Sequence, residues 1–287
     1  MVTASTQARV SPYRLFPATL VGRRQLSPSF VRITLGGPLA DVSPTLLDQR
    51  VKLLLGNPDA LDELAGADEW FEAWRTMGER APALRTYTLT AVRPTAGANG
   101  YGEVDIDVAL HPGSMGPASR FACEAPLGAA VGLVAGDRTV TGHDEVGVGW
   151  HPAHADQFML VSDETGLPAV TNILATLPDH VTGEVYLEVP TAADVRALSN
   201  PAGLAVQWFV RERGESALDA LPLGACPPLQ FTDTDPVWDE GAGGDWYGWV
   251  AGESGWVRCI RAIAKASGRP LAQMSLMGYW KQGIALG

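Results

Sequence analysis

The spacing of apolar residues changes near the middle of this chain, and that change limits what it can fold into. Up to about residue 140 the apolar positions fall in short runs, among them Phe30-Val31-Arg32-Ile33-Thr34-Leu35, Val51-Lys52-Leu53-Leu54-Leu55, 86–90, 104–110 and 130–134. The runs are continuous or alternate one in two, and Gly and Pro separate them, as in β-strands joined by turns. From Gln157 the period switches: the run Gln157-Phe158-Met159-Leu160-Val161 is followed by Leu167, Val170, Ile173, Leu174 and Leu177 at helical spacing. Strand-like segments at 185–189 and 205–210 come next. The first pattern predicts a small closed antiparallel β-barrel with one helical insertion. The second predicts an open α/β unit with a mainly parallel sheet. A chain of 287 residues, 46% of them hydrophobic, is long enough to fill two cores.

Smaller features fit around this frame. Trp70, Phe71 and Trp74, in the helix-like stretch 68–74, read as one packing stripe on the insertion. The glycine-rich stretch 139–156 holds His143, Asp144, Glu145, His151, His154 and Asp156 at no metal-ligand spacing, and reads as a solvated loop. The acidic stretch 232–245 reads the same way. Near the end, Trp256, Val257, Ile260, Ile263 and Ala264 mark one face of a C-terminal helix that Ser254 is placed to cap. Arg258, Arg261 and Lys265 then fall on its solvated face.

Composition removes several function classes. The formal charge of −11 disfavours a nucleic-acid partner, which needs a basic footprint. No run approaches the eighteen apolar residues of a membrane span, and the first residues lack an export signal, so no membrane insertion and a cytoplasmic location are expected. Cys123, Cys226 and Cys259 are odd in number and far apart, so no disulfide framework or metal site is expected, and all three read as buried small hydrophobes.

One constellation carries chemistry. In Leu84-Arg85-Thr86-Tyr87-Thr88-Leu89-Thr90, alternation sends Arg85 and Tyr87 to one face and Thr86, Thr88 and Thr90 to the other. About twenty residues on comes Asp105-Ile106-Asp107-Val108-Ala109-Leu110-His111, then Gly116-Pro117-Ala118-Ser119 at the start of a helical turn. Unpaired N–H groups at such a start suit a pyrophosphate. An arginine for a phosphate, an aromatic ring for stacking and a backbone anchor together fit a dinucleotide, and the strand reads as a flavin cradle. In the second unit, the loop Asp163 to Pro168 lies at the carboxyl end of its first strand, where ligands of open α/β sheets bind.

These segments, with Val51 to Leu55, Asp163-Glu164-Thr165-Gly166-Leu167-Pro168-Ala169 and the terminal Gly278-Tyr279-Trp280-Lys281-Gln282-Gly283, resemble the siderophore-interacting proteins. These are flavin-dependent ferric-siderophore reductases of the ferredoxin-reductase superfamily. The resemblance implies an FAD-binding β-barrel domain over 10–145 and an NAD(P)H-binding-like α/β domain over 155–287, its C-terminal segment returning to the domain interface. It assigns FAD contacts to Arg85, Thr86, Tyr87, Thr88, Asp107, Val108, Ala109, Leu110, His111, Gly116, Pro117, Ala118 and Ser119, with Asp163 and Thr165 approaching from the second domain. Lys52 and Lys281, and more weakly Arg138, are the basic residues expected to meet an anionic ferric siderophore. No side chain is expected to act as nucleophile and no resident metal is expected, because the flavin relays the electrons.

The implied activity is reduction of siderophore-bound Fe(III) by NADH, NADPH or reduced ferredoxin. Two other activities share these features: a general flavin reductase or diaphorase, and a non-catalytic siderophore-binding protein. The chain also departs from its relatives. The reductase pattern Gly-x-Gly-x-x-Pro is replaced by Asp163-Glu164-Thr165-Gly166-Leu167-Pro168, with a single glycine, so this loop alone does not provide close backbone approach to a nicotinamide pyrophosphate. Lys281 stands where the family commonly has arginine, which keeps the charge and loses the planar fork.

Overall fold

The computed structural model describes residues 11–67, 69–94, 101–111, 115–222 and 237–283; Asp68, Cys226 and residues 232–236 of the features above lie outside them. Six antiparallel strands form the first unit: β1 (Tyr13–Ser27), β2 (Phe30–Gly37), β3 (Arg50–Leu55), β4 (Ala83–Arg93), β5 (Gly102–Ala109) and β6 (Ala130–Gly136). They close in the order β1-β2-β5-β4-β3-β6, with β6 pairing back onto β1. Inward positions fill the barrel with Phe16, Leu20, Ile33, Leu35, Val51, Leu53, Ile106 and Leu133. Closure leaves no exposed strand edge.

Two short helices cover one side of the barrel, α1 (Pro58–Ala65) and α2 (Trp70–Thr76). Asn57 caps α1 by accepting from the Asp59 N–H, and Leu61 and Leu64 pack on Leu54, Leu84 and Val134. Trp70 and Trp74 join this cluster, and the Trp74 indole N–H donates to the Pro82 carbonyl at 2.8 Å. Phe71 does not: it is 45% exposed and stacks on Trp74 from outside. One residue along a helix is about 100° around it, so neighbours at i and i+1 do not share a buried face.

The second unit begins with β7 (Gln157–Ser162), α4 (Leu167–Thr176), β8 (Thr182–Val189) and β9 (Leu204–Val210). It ends with β10 (Trp238–Asp239), β11 (Trp246–Glu253), α5 (Ser254–Ala266) and β12 (Met274–Trp280). The strand order is β10-β12-β11-β7-β8-β9, all parallel except β10 on β12. Both faces are covered, as parallel sheets require. Phe158 and Leu160 pack with Ile173 and Leu174 of α4, while Met159 and Val161 pack with Val257 and Ile260 of α5. No helix among the described residues is long and apolar enough to cross a membrane.

Four expectations need correction here. Glu253, not Ser254, caps α5: its carboxylate accepts from the Trp256 N–H at 2.9 Å, whereas the Ser254 hydroxyl donates to the Trp280 carbonyl. The expected solvated face of α5 is partly engaged, with Arg258 buried and Arg261 paired to Asp239, while Lys265 is exposed. Cys123 and Cys259 are half-buried, not buried. In the acidic stretch, Trp238 and Asp239 form the edge strand β10, and Glu240 pairs with Arg50 of the barrel at 3.1 Å.

Polar side chains in apolar surroundings fix how the units sit. Buried Asp48 accepts from the N–H groups of Gly149 and Trp150 and, at 2.9 Å, from the Trp249 indole. Asn172 of α4 donates to the carbonyls of Leu47 and Leu89 at 2.8 and 2.7 Å. Asp194, after β8, accepts from the Ser27 and Ser29 hydroxyls and the Ser29 N–H of the β1–β2 turn. Leu46 and Leu47 take left-handed φ values of 56° and 47°, a strained pair held by the bonds at Leu47 and Asp48. The 139–156 stretch is accordingly more than a loop, since Val148 and Trp150 enter the core between the units. Asp48→Ala is expected to cost about 3 kcal/mol or more of unfolding free energy, because it strands several buried donors. Urea unfolding measures this, and a loss below about 0.5 kcal/mol would remove Asp48 from its role.

Candidate cofactor site between the two domains

A cavity of about 910 Å³ opens between the barrel and the carboxyl edge of the parallel sheet. Its barrel wall is made by β4, the end of β5 and the start of α3 (Pro117–Glu124). Alternation decides which residues of β5 reach it, whereas on β4 three consecutive residues do, Thr86 among them against the alternation expected there. Arg85, Thr86 and Tyr87 line the cavity, as do Asp107, Ala109 and His111, while Val108 and Leu110 turn into the barrel core. Thr88 is buried and off the wall.

Arg85 differs from the other arginines near the interface. Arg32 is bound to Asp107 at 2.6 Å, Arg93 to Asp105 at 2.7 Å and Arg211 to Glu164 at 2.6 Å. Arg85 has no carboxylate partner among the described residues, and donates only to the adjacent Leu84 carbonyl. Beside it, Gly116 begins α3 without a side-chain cap, and a Cβ built there meets nothing within 4 Å. Pro117 has no N–H, so the unpaired N–H groups at this helix start belong to Gly116, Ala118 and Ser119, all of which line the cavity. An unanswered guanidinium and an uncapped helix start are the donors an anionic dinucleotide such as FAD requires, and the cavity is large enough to admit one. Burial pushes the Tyr87 phenol up to about 12, so this ring is neutral.

The sheet wall is acidic. Asp163 follows β7 and accepts four hydrogen bonds: from the Thr165 N–H and hydroxyl, the Glu253 N–H at 2.7 Å and the Trp280 indole N–H at 2.8 Å. Burial and the neighbouring Glu164 charge push its carboxyl up to about 6. Burial acts to raise Glu164 also, but a bond from His111 and the charge of Arg211 outweigh it and hold Glu164 below the ordinary carboxylate range. Arg211 reaches Glu188 too, at 3.4 Å. His111, at the end of β5, joins the walls: its Nδ1 lies 3.5 Å from Glu164, and its ring stacks on Trp280 with centroids 4.4 Å apart.

The basic candidates separate. Lys281 lines the cavity. Lys52 stands beside the wall, its ammonium 3.4 Å from the Thr86 hydroxyl, and burial followed by the Arg50 charge lowers its pKa. Arg138 is not brought to the cavity; it is exposed and lies 3.7 Å from Asp41. Glu188, Arg211, Glu253 and Trp256 line the cavity without having been anticipated. Their positions at or just beyond the carboxyl ends of β8, β9 and β11 were the available signal.

Comparison with known proteins agrees with this arrangement. A family model for the siderophore-interacting FAD-binding domain matches residues 19–139, and one for the siderophore-interacting protein matches residues 155–283. The mycobactin import ATP-binding/permease protein IrtA of Mycolicibacterium smegmatis is 27% identical over 94% of this chain, which spans only 26% of that protein's length. Ferric vibriobactin reductase ViuB of Vibrio cholerae is 27% identical over 71% of this chain and 67% of its own. The siderophore-interacting protein SipS from Aeromonas hydrophila superposes with a TM-score of 0.67 at 26% identity, covering 96% of this chain and 94% of that one. The ferredoxin reductase in carbazole 1,9a-dioxygenase shares the fold alone, at 15% identity and a TM-score of 0.51 over 93% of this chain and 70% of that one.

The Asp163 centre makes one stability prediction. Asp163→Asn turns an amide NH2 toward one pair of donors, so the variant is expected to lose about 2 kcal/mol, seen as a lower Tm. An unchanged Tm would mean that the pair of hydrogen bonds facing the new amide contributes nothing net.

Proposed function

The chain belongs to the siderophore-interacting protein family and carries that family's FAD-binding domain, and from this premise we propose that it is a ferric-siderophore reductase. In this reading it passes electrons from NADH, NADPH or reduced ferredoxin through FAD to a siderophore-bound Fe(III), releasing Fe(II) in the cytoplasm. The observation that carries the reading is Arg85, a cation without a carboxylate partner beside an uncapped helix start in a cavity of dinucleotide size. The name of the similar ferric vibriobactin reductase supports the same reaction class.

Bound FAD supplies the ability to take electrons in a pair and give them up singly. The chain's part is to bind and to orient. Arg85 holds a phosphate, the N–H groups of Gly116, Ala118 and Ser119 hold the pyrophosphate with Pro117 shaping the turn, and Tyr87 packs on the cofactor. Thr86, Asp107, Ala109 and His111 shape the wall, and Thr88, Val108 and Leu110 support it from the barrel side. Asp163 and Thr165 bound the cofactor from the second domain. Asp107 is already bound by Arg32, so its contribution is to hold the wall's shape and not to supply free charge.

The substrate iron sits among hard oxygen donors. Reduction lowers its charge and weakens each of those contacts, so reduction is release. Lys52 and Lys281 provide local positive charge for an anionic chelate against the net −11 of the chain. Arg138 does not line the cavity and lies beside Asp41, so it is given no part in that task.

Two measurements follow. Arg85→Ala is expected to weaken FAD binding about tenfold or more while the Tm of the FAD-free protein stays within about 1 °C, since a charge-assisted cofactor contact is lost and the fold loses only a bond to the adjacent Leu84 carbonyl. Equal FAD affinity would dismiss its phosphate role. The pair Lys52→Ala and Lys281→Ala is expected to raise KM for an anionic ferric siderophore several-fold, less so at high salt, with FAD content unaltered. Unaltered kinetics would place the chelate elsewhere.

A further inference from the structure

Taking the FAD-dependent reading as given, we infer that the second domain does not seat a nicotinamide dinucleotide, which narrows the donors above to reduced ferredoxin. The chain runs from β7 outward to β8 and β9 and then returns to β11 on the other side of β7. The crevice at the carboxyl ends of β7 and β11 is therefore the switch point of the sheet, where folds of this kind hold dinucleotides. Here it is filled from within. The Trp280 indole N–H donates to Asp163, the Gln282 N–H donates to Glu253 at 3.3 Å, and the Trp280 carbonyl accepts from Ser254 at 2.8 Å. The chain's own last described residues thus occupy the hydrogen-bonding groups of the crevice.

The turn into α4 has few donors to spare for a pyrophosphate. Four of its N–H groups are committed internally: Asp163 to the Ala251 carbonyl, Thr165 to the Asp163 carboxylate, Gly166 to the Asp163 carbonyl and Leu167 to the Glu164 carbonyl. Pro168 has none to offer. Gly166, the single glycine of the loop, is required for another reason: a Cβ there would stand 2.4 Å from the Ser162 hydroxyl. It lets the helix approach its own strand, not a ligand.

Charge works in the same direction. Asp163, Glu164, Glu188 and Glu253 all face the cavity from this wall against two cations, Lys281 of the tail and Arg211, which is bound by Glu164 and Glu188. Arg213 lies outside the wall and is exposed. A pyrophosphate placed here would meet carboxylates and spent donors, whereas the opposite wall offers Arg85 and the start of α3. One cavity therefore has one phosphate side. Electrons then balance without hydride transfer: two reduced ferredoxins each give one electron, and two Fe(III) each take one.

The test uses the FAD-loaded protein. It is mixed with NADH or NADPH while flavin absorbance is followed, and NADP⁺ is titrated into it calorimetrically. The expected result is bleaching whose rate rises linearly up to about 1 mM nucleotide, with no calorimetric binding in the range of ordinary enzyme substrates. A plateau with half-saturation between about 1 μM and 1 mM, or saturable NADP⁺ binding in that range, would overturn the inference. Dithionite-reduced protein mixed with a ferric siderophore tests the underlying reading separately. If flavin colour fails to return there, the reductase assignment falls, whatever the nucleotide result.

Discussion

Asp163 organises the junction on which the site depends. Its two oxygens gather the Thr165 turn, the start of α5 through Glu253, and the tail through Trp280, all at the switch point of the sheet. Trp280, held at its indole N–H, then offers a ring to His111 on the barrel. Glu164 binds the same histidine and is itself tied to Arg211. A single buried carboxylate thereby fixes the second domain's wall against the first. The cost of keeping it charged appears in its raised pKa, which the four donors offset only in part.

The result is a cavity with two unlike sides. On the sheet side Arg211 is matched by Glu164 and Glu188, and the carboxylates are shared among backbone N–H groups, arginine and tryptophan. On the barrel side Arg85 is unmatched and a helix start is open. Long-range charge cannot explain this, because the whole chain is acidic; the distinction is made by which donors already have acceptors. Binding of an anion then follows from local hydrogen-bond accounting more than from net charge.

Much of the barrel wall was legible in the sequence because it is a local pattern. Alternation along β4 selected Arg85 and Tyr87, the family resemblance selected His111, and Gly116-Pro117 announced α3. The period change at Gln157 announced the sheet. Non-local pairings were not legible: Asp48 and Trp249 meet across 201 residues and Arg211 and Glu164 across 47, and no spacing rule reaches that far. The first strand β1 and the helix α1 also escaped notice. The charged and polar segment 21–27 interrupts the alternation of β1, and α1 is only eight residues long. The cap of α5 was misplaced by one residue because a glutamate reaches as far back as the usual serine does.

The account rests on a dinucleotide lying against the barrel wall, and a crystal structure grown with excess FAD tests that most directly. The pyrophosphate is expected within hydrogen-bond reach of the Arg85 guanidinium and the N–H groups at the start of α3, with the Trp280–Asp163 bond intact. Density for the pyrophosphate on the sheet wall beside Arg211, or a cavity closed by protein side chains with no room for the flavin ring, would contradict it.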